Sequence, residues 1–341
     1  MTKPAPRRLR RILLNLALLG FAGFNAVSFM QARSFTHYER SGQRTKIPER
    51  MSAWDKARVL LCGATMPRPK NHAKPSDEGL PFTTHKFPGA HGISIEAWRV
   101  EGRAGRPVVL MFPGYAAPKD MFLPAARELH AMGCELWLVD FHGAGGSAGD
   151  TTSIGWDEAD DVAAAVRAAR QLAPDAPVVL YGCSMGAAAI LRAVHLGAVK
   201  PDALILECPF DRLVTTVGNR FQSMGVPAFP LAHALVFWGG VQGGFDGFAH
   251  NPVEYARAVR CPTLLMGGEH DRRVGMPAAR AIASALGGHG TFKVFAGQGH
   301  VGYFHRAPAE WRRTVRDFLF ERSPQPATPR ADAASVAPTR G

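Results

Sequence analysis

From about residue 82 onward, short apolar runs alternate with segments whose apolar residues recur at helical spacing. Runs such as 107–112 (PVVLMF) are apolar throughout, as expected for strands that are buried on both faces of a sheet. The predicted strands are 93–100, 107–112, 135–139, 177–181, 203–206, 262–266 and 291–295, and the predicted helices are 119–132, 157–172, 185–194, 277–286 and 309–320. This alternation predicts an α/β fold with a mostly parallel central sheet and helices on both faces.

One interval, residues 212–252, breaks the alternation. It is rich in glycine, has no clear strand pattern and holds six aromatic residues, namely Phe221, Phe229, Phe237, Trp238, Phe245 and Phe248. Inserted segments of this kind often cover active sites. We therefore expect a short lid insertion here, with an additional packing layer as the alternative.

The N-terminal region contains the one long apolar stretch of the sequence, residues 12–30, which directly follows the basic cluster 7–11. Its length approaches the roughly 20 residues that a helix needs to cross a bilayer. Residues 1–32 are therefore predicted to be a single-pass membrane anchor. Basic residues flank both ends of the stretch, but the cluster directly against it favours a cytoplasmic N-terminus and an extracytoplasmic body.

A cleaved signal peptide is the rival interpretation, because it combines the same basic start with an apolar middle. Signal peptidase sites carry small residues at positions −3 and −1. Cleavage after Ala32 would place Met30 at −3, and cleavage after Ala26 would place Phe24 there. This mismatch favours the uncleaved anchor.

The rest of the chain divides by composition into three parts. Residues 33–80 are polar and rich in Lys, Arg and Pro, and we expect a stalk. Residues 81–321 carry the alternating pattern and are predicted to form the domain. Residues 322–341 are rich in Pro, Ala and Ser and are predicted to be a disordered tail.

The formal charge of +12 does not indicate a nucleic-acid-binding protein, because it is confined to the two ends of the chain. Residues 1–50 carry a net +8 and residues 322–341 a net +2, so only +2 remains for residues 51–321. A basic groove for phosphates is therefore not expected. The five cysteines form no CxxC pair, so a structural metal site is not expected either.

Two segments match the G-x-S-x-G pattern, 182–186 around Ser184 and 145–149 around Ser147. A nucleophile elbow needs a strand before the serine and a helix after it, so that a strained turn presents the hydroxyl above the sheet. The apolar run VVLYG leads into the first segment, and MGAAAILRA directly follows Ser184. Ser147 lies in a glycine-rich loop with no helix start behind it, so Ser184 is the predicted nucleophile.

Together with the loops after the other predicted strands, this motif resembles the α/β-hydrolase superfamily over residues 82–321. The matching segments, in chain order, are 112–115 (FPGY), 140–145 (DFHGAG), the elbow, 267–271 (GGEHD) and 297–300 (GQGH). Members of this fold carry their catalytic residues in the order Ser, Asp, His. The resemblance implies an α/β-hydrolase fold in which Ser184, Asp271 and His300 form a catalytic triad.

The implied roles fit the chemistry of acyl transfer. A serine hydroxyl is a weak nucleophile, so a base such as His300 must take its proton during attack. A carboxylate, here Asp271, orients the imidazole and stabilises its charged form. Other candidates stay open. His142, His270 and His305 are alternatives for the base, although none ends a strand at the expected point in chain order, and Asp211 and Glu269 are alternatives for the acid.

The developing oxyanion needs two preorganised backbone N–H donors. Met185 directly follows the nucleophile at a predicted helix N-terminus, and Tyr115 follows Gly114 in the loop after an earlier strand. The resemblance implies that these two residues supply the oxyanion hole.

The predicted activity is therefore that of a membrane-anchored serine hydrolase. It would cleave a carboxylic ester or thioester, with an apolar acyl group, through an acyl-enzyme; the lid and the anchor favour a small-molecule or lipid acyl substrate. An acyltransferase with the same triad and a serine aminopeptidase-like amide hydrolase are alternatives, and a non-catalytic binding protein would be expected to lack a triad residue. The sequence has no HExxH, P-loop or dinucleotide motif, so no metal or cofactor is expected.

Overall fold

The computed structural model describes residues 7–46, 50–300 and 302–321. Within them, eight strands form one sheet: β1 (Thr83–Pro88), β2 (Ser94–Val100), β3 (Val108–Phe112), β4 (Glu135–Val139), β5 (Val178–Cys183), β6 (Ala203–Glu207), β7 (Thr263–Gly268) and β8 (Gly290–Phe295). The helices are α1 (Arg7–Thr36), α2 (Ala53–Cys62), α3 (Leu123–Ala131), α4 (Glu158–Leu172), α5 (Met185–His195), α6 (Leu213–Ser223), α7 (Leu231–Gly243), α8 (Pro252–Tyr255), α9 (Met276–Leu286), α10 (Tyr303–Arg306) and α11 (Pro308–Arg316).

The strands lie in the spatial order β1-β2-β4-β3-β5-β6-β7-β8. β2 is antiparallel to both of its neighbours, β1 and β4, and every other adjacent pair in the sheet is parallel. The predicted mostly parallel sheet is therefore confirmed. Because β3 to β7 run the same way, the loops at their carboxyl ends meet along one edge of the sheet.

Both faces of the sheet are covered, as predicted, and β3 shows how. Its side chains alternate, so Val108, Leu110 and Phe112 face one core while Val109 and Met111 face the other. The first core lies under α4, α5 and α9, and the second lies under α3 and α11. Burial on both faces explains why the central strands are continuous apolar runs.

The edge strand β1 is absent from the sequence-based prediction. Its side chains are exposed or only half-buried, and its sequence, TTHKFP, has no apolar alternation. Its position is fixed by antiparallel pairing with β2, from Thr83 opposite Arg99 to Pro88 opposite Ser94. Long-range hydrogen bonding, rather than a local pattern, therefore defines this strand.

The interval 212–252 lies between β6 and β7 and consists mainly of the two helices α6 and α7. Buried residues of both helices, such as Leu213 and Val236, contact Phe210 and Val274 at the edge of the sheet where the strands end. This inserted segment is therefore located above the loops of that edge.

The apolar stretch 12–30 lies within α1, the one helix among the described residues that is long and apolar enough to cross a membrane. Most of the helix is exposed, but Ser28, Ala32 and Thr36 near its end are buried. There α1 packs against α7, with the rings of Phe29 and Trp238 5.5 Å apart. The end of the helix is thus part of the folded body.

The segment 33–80, predicted to be a stalk, also packs on the body. His37 and Thr151 form an antiparallel β-bridge, and the Arg68 guanidinium donates hydrogen bonds to carbonyl oxygens of Gly145 and Gly149. Polar composition suggests a solvated spacer, but these polar groups bind backbone atoms of the domain instead. The predicted tail, 322–341, lies outside the described residues.

A fully buried lysine holds the loop after β4 in place. Lys119 Nζ lies 2.5 Å from the Asp140 carboxylate and 2.9 Å from Glu96. Asp140 also accepts hydrogen bonds from the backbone N–H groups of Lys119 and Gly146. Removal of the lysine would leave a buried carboxylate without its counter-charge.

We expect Lys119→Met to lower the free energy of unfolding by about 3–5 kcal/mol, because removing one partner of a buried ion pair leaves the other charge buried and unpaired. Urea denaturation followed by circular dichroism measures this change. The control is Lys86→Met, which removes an exposed lysine 3.5 Å from the same Glu96 and should cost less than about 1 kcal/mol. Equal unfolding midpoints for Lys119→Met and the wild type would contradict the prediction.

Candidate active site

Ser184 lies on the sharp turn between β5 and α5. Its φ of 51° and ψ of −110° lie outside the conformations that non-glycine residues usually adopt. A side chain at Gly182 or Gly186 would collide with neighbouring backbone atoms, so the close approach of strand and helix requires both glycines. The Ser184 N–H donates to the Glu207 carbonyl oxygen on β6 at 2.7 Å. The strained turn is therefore anchored to the sheet.

The loops after β7 and β8 bring an acid and a base to this turn. His300 Nε2 lies 3.0 Å from Ser184 Oγ, and His300 Nδ1 lies 2.8 Å from Asp271 Oδ2. The second Asp271 oxygen accepts hydrogen bonds from the N–H groups of Arg273 and Val274. When Nδ1 carries the proton, the imidazole donates to Asp271 and leaves Nε2 free to accept the serine proton.

The environment of Asp271 favours its charged form. Burial alone would raise the pKa of this carboxyl, but the hydrogen bond and charge of His300, together with the backbone N–H groups, hold its pKa below the ordinary value. A carboxylate that stays ionised can stabilise an imidazolium on its neighbour. The three groups thus have the arrangement that proton transfer from serine to histidine needs.

Ser147, the serine of the second G-x-S-x-G segment, is held by hydrogen bonds to the backbone of the fold. Ser147 Oγ accepts a hydrogen bond from the Glu96 N–H at 2.8 Å and donates one to the Asp140 carbonyl oxygen at 2.7 Å. The Ser147 side chain is buried. Its two hydrogen bonds connect β2 to the loop after β4. The same loop holds His142, whose Nδ1 lies 2.6 Å from a carboxylate oxygen of Asp161.

The remaining candidates for the acid and the base have partners away from Ser184. The Asp211 carboxylate accepts from the Arg212 N–H, and the exposed Glu269 accepts from the Gly297 N–H. His305 Nε2 lies 3.4 Å from a backbone carbonyl oxygen, and His270 is exposed. None of these side chains forms a hydrogen bond with Ser184 or His300 in the described part of the chain.

The loop after β3 lies directly beside Ser184. A Cβ atom at Gly114 would lie 3.6 Å from Ser184 Cβ, so the space between this loop and the elbow is about the size of a methyl group. The next residue, Tyr115, donates its phenolic hydrogen to the Phe35 carbonyl oxygen at 2.6 Å. Its backbone N–H and that of Met185, at the start of α5, are both available for an oxyanion, since no hydrogen bond between described residues uses them.

Ser184 opens into a cavity of about 280 Å³. Much of its wall is apolar and comes from Phe35, Met66, Met121, Ile154, Phe210, Leu213, Val217 and Val274. Leu213 and Val217 belong to α6 of the inserted segment, and Phe35 belongs to the end of α1. The contribution of α1 could not be anticipated from the sequence, because the apolar pattern of this helix indicates only a membrane span.

Behind the elbow, the buried Glu207 side chain accepts hydrogen bonds from the Tyr181 hydroxyl at 2.6 Å and from Trp311 Nε1 at 3.0 Å. Burial raises the pKa of this carboxyl to about 7, although both hydrogen bonds act in the opposite direction. The neutral form is therefore favoured in the folded protein. The raised pKa of Glu207 therefore contributes to stability. This contribution is complete below the unfolded pKa of about 4.5 and is lost as the pH rises through about 7.

We expect Glu207→Gln to remove this pH dependence, because the amide stays neutral. The free energy of unfolding of the variant, relative to the wild type, should increase by about 2 kcal/mol between pH 5 and pH 8. Urea titrations at several pH values measure the difference. Glu101→Gln, at an exposed position, serves as the control and should follow the wild type. Parallel curves for Glu207→Gln and the wild type would contradict the prediction.

One cluster of side chains in the described part of the chain has the composition of a metal site. Cys208, Asp271 and His300 offer ligand atoms within 4.8 Å of one another. The imidazole, however, already uses Nδ1 toward Asp271 and Nε2 toward Ser184. These hydrogen bonds account for the proximity of His300 and Asp271 without an ion.

The comparisons with known proteins agree with this architecture. Residues 103–238 match the family model described as serine aminopeptidase, S33. The uncharacterized protein YqkD of Bacillus subtilis is 22% identical over 247 residues, which cover 72% of this chain and 81% of that protein.

Solved structures show the same fold. The Pyrococcus furiosus esterase Pf2001 superimposes with a TM-score of 0.62 at 19% identity, covering 74% of this chain and 96% of that one. An esterase from Exiguobacterium antarcticum gives a TM-score of 0.53 at 18% identity, covering 70% and 99%. The chain therefore has the α/β-hydrolase fold that its motifs indicated.

Proposed function

From this fold and the arrangement of its strand-end residues, we propose that the protein is a serine hydrolase that cleaves carboxylic esters or thioesters. The observation that carries the proposal is the hydrogen-bonded chain from Ser184 Oγ through His300 to Asp271, with distances of 3.0 and 2.8 Å. The strained elbow and the adjoining cavity support it. The similarity to esterases of the same fold supports it as well.

In the proposed reaction, Ser184 Oγ attacks the substrate carbonyl carbon as its proton moves to His300 Nε2. The N–H groups of Tyr115 and Met185 stabilise the oxyanion. The imidazolium then gives its proton to the departing alcohol or thiol, and an acyl-enzyme remains. Water attacks this acyl-enzyme ester as His300 Nε2 takes its proton. The tetrahedral intermediate then expels Ser184 Oγ, which receives that proton from His300, and the carboxylic acid is released.

The apolar cavity wall supports an apolar acyl group in the substrate. Contact with Phe210, Leu213 and Val217 would stabilise a bound acyl group by about 25 cal/mol for each Å² of its surface removed from water. The serine aminopeptidase match favours amide hydrolysis as a second candidate. An acyltransferase would use the same groups but exclude water from the acyl-enzyme.

A panel of 4-nitrophenyl esters, thioesters and anilides, from acetyl to octanoyl, tests the proposed reaction class. We expect kcat/KM to rise with acyl length for esters and thioesters, and to be at least about 100-fold lower for the anilides, since amines are poorer leaving groups. Faster cleavage of the anilides would favour the amide hydrolase. Diversion of the acyl group to an added alcohol or thiol, instead of water, would favour the acyltransferase.

We also propose that α1 is a retained membrane anchor. The contacts of its last turns support retention, because Ala32 and Thr36 are buried against the body and Phe35 lines the cavity. Cleavage after Ala32 would remove Phe29, which contacts Trp238 of α7, and cleavage after Ala26 would remove Asn25, whose side-chain oxygen accepts a hydrogen bond from Trp238 Nε1. Membrane extraction with carbonate, followed by N-terminal mass determination, tests retention; a mature chain that starts after residue 26 or 32 would contradict it.

A further inference from the structure

The cavity beside Ser184 has a strongly basic rim. Four arginines are among its lining residues: Arg44, Arg220, Arg272 and Arg273. No aspartate or glutamate is among the described residues that line it. Residues 51–321 carry a net charge of only +2, so this concentration of positive charge is a local feature rather than a property of the whole surface.

The arginines reach the cavity from three separate segments. Arg272 and Arg273 directly follow Asp271, whose carboxylate binds the backbone N–H of Arg273. Arg44 Nη1 donates to the Ala116 carbonyl oxygen at 3.3 Å, one residue beyond Tyr115. Arg220, on α6, lies with its guanidinium 5.5 Å from the Phe35 ring centre. Positive charge therefore lies on two sides of Ser184: beside the loop after β7, which carries Asp271, and beside the loop after β3, which carries Tyr115.

Most of this charge is not neutralised within the protein. Arg44, Arg272 and Arg273 form no ion pair with a described residue, and all three are exposed to solvent. Arginine presents several donors in a planar arrangement that matches the oxygens of a carboxylate or phosphate. A cleft lined by one sign of charge also concentrates ligands of the opposite sign. An anionic ligand is thus the chemical complement of this rim.

We propose that the substrate is an ester or thioester that also bears an anionic group, a carboxylate or a phosphate, which binds the arginine rim while the carbonyl carbon lies at Ser184. This inference rests on the proposed hydrolase function and narrows its substrate class. The apolar part of the wall takes the acyl chain, and the rim holds the charged end. The same group also orients the scissile bond toward the triad.

Matched pairs of substrates test the charge requirement. For a carboxylate, mono-4-nitrophenyl adipate is compared with 4-nitrophenyl hexanoate; for a phosphate, 1-hexanoylglycerol 3-phosphate is compared with 1-hexanoylglycerol. We expect at least a tenfold higher kcat/KM for the anionic member of one pair at low ionic strength. The preference should shrink as salt is added, because screening weakens the attraction. The pair that shows the preference identifies the anion.

The double variant Arg272→Gln, Arg273→Gln should reduce the anionic-to-neutral ratio of kcat/KM at least fivefold. A ratio is used because general damage to the site affects both members of a pair. Arg167→Gln, at an exposed position of α4, is the control and should leave both ratios as in the wild type. Equal kcat/KM within both pairs, or an unchanged ratio in the double variant, overturns the inference while the hydrolase proposal stands. Absence of hydrolysis of all four esters overturns both.

A second inference comes from the surface of α7. Apart from His233 and Gln242, this helix (LAHALVFWGGVQG) is apolar, and its apolar residues are not confined to one face, which is typical of helices in a core or in contact with a membrane. Only Ala232, Val236 and Gly240 are buried, however. Large apolar side chains on α7 and the loops beside it are exposed to water, namely Phe229 (73%), Phe237 (50%), Val241 (54%) and Phe248 (40%).

This exposed face adjoins the proposed anchor. Trp238 Nε1 donates to the Asn25 side-chain oxygen at 3.1 Å, and Gln242 Nε2 donates to the Phe29 carbonyl oxygen at 2.8 Å. Both partners on α1 belong to the apolar stretch 12–30. If that stretch spans a bilayer of about 30 Å, α7 lies at the depth where the hydrocarbon meets the headgroups.

We infer that α7 and its flanking loops, with Phe229, Phe237, Val241 and Phe248, form a membrane-docking face whose occupant is the lipid bilayer. Burial of these side chains among acyl chains removes the exposed apolar patch from water. Phe35, near the end of α1, lines the cavity, so docking also brings the cavity close to the membrane surface.

Fluorescence quenching in vesicles tests the docking face. The full-length Cys62→Ser protein, reconstituted in phosphatidylcholine vesicles, carries the further substitution Phe237→Cys, labelled with an environment-sensitive fluorophore. We expect quenching by spin-labelled lipids, as for a label at Leu14 in the span, and none for a label at the exposed Leu196. Equal signals at positions 237 and 196 overturn the docking face. An unquenched label at position 14 overturns the anchor as well.

Discussion

Ser184→Ala is expected to lower kcat for ester hydrolysis by a factor on the order of 10⁵ to 10⁶. In the proposed mechanism the Ser184 hydroxyl forms the acyl-enzyme, and neither His300 nor Asp271 can replace it in that role. Substrate binding should change little, because the cavity wall remains in place. Steady-state release of 4-nitrophenol, corrected for spontaneous hydrolysis, measures the loss.

The matched control is Ser147→Ala, in the second G-x-S-x-G segment. Its hydroxyl joins Glu96 to Asp140, so the variant should lose about 1–3 kcal/mol of stability but retain kcat once the folded fraction is taken into account. Thermal denaturation provides that fraction. A Ser184→Ala enzyme with more than about one hundredth of the wild-type kcat would contradict the assignment of the nucleophile.

The second large effect concerns the acid. Asp271→Asn should lower kcat by roughly 10³ to 10⁴-fold. The amide would accept the two backbone N–H bonds as before, but it could not stabilise an imidazolium on His300. Because the ionised form of Asp271 is favoured by a lowered pKa, the wild-type enzyme should keep this support throughout the neutral range. Hydrolysis rates from pH 6 to 9 measure both effects.

Asp211→Asn is the control for the acid. Its carboxylate caps the backbone N–H of Arg212 and has no hydrogen bond with His300. We expect its kcat to remain within about threefold of the wild type. If Asp211→Asn lost the larger share of activity, the acid would have to be assigned to the end of β6 instead of β7.

The parts of the fold that depend on local pattern were predictable from the sequence. β3 and β5 are apolar throughout because both faces are covered, and α5 follows the elbow because glycines permit the close approach of strand and helix. β1 was not predictable, because its exposed residues, Thr83 to Pro88, carry no apolar pattern and depend on pairing with β2.

For the site, the order of the motifs along the chain predicted Ser184, Asp271 and His300. The fold brings these three residues within hydrogen-bonding distance. Their catalytic roles remain a proposal. The cavity was less predictable than the triad, because its wall comes from distant segments. Phe35 lies in a helix whose composition indicates only membrane crossing, and Arg44 lies in a segment whose polar composition suggests a stalk.

The central claim is that one hydroxyl, on a strained turn and paired with His300, is the reactive nucleophile. A fluorophosphonate probe followed by peptide mass spectrometry tests it most directly. We predict a single stoichiometric adduct on Ser184 in the folded protein, and loss of labelling after heat denaturation. An adduct on another residue, or no adduct on the folded protein, would contradict it.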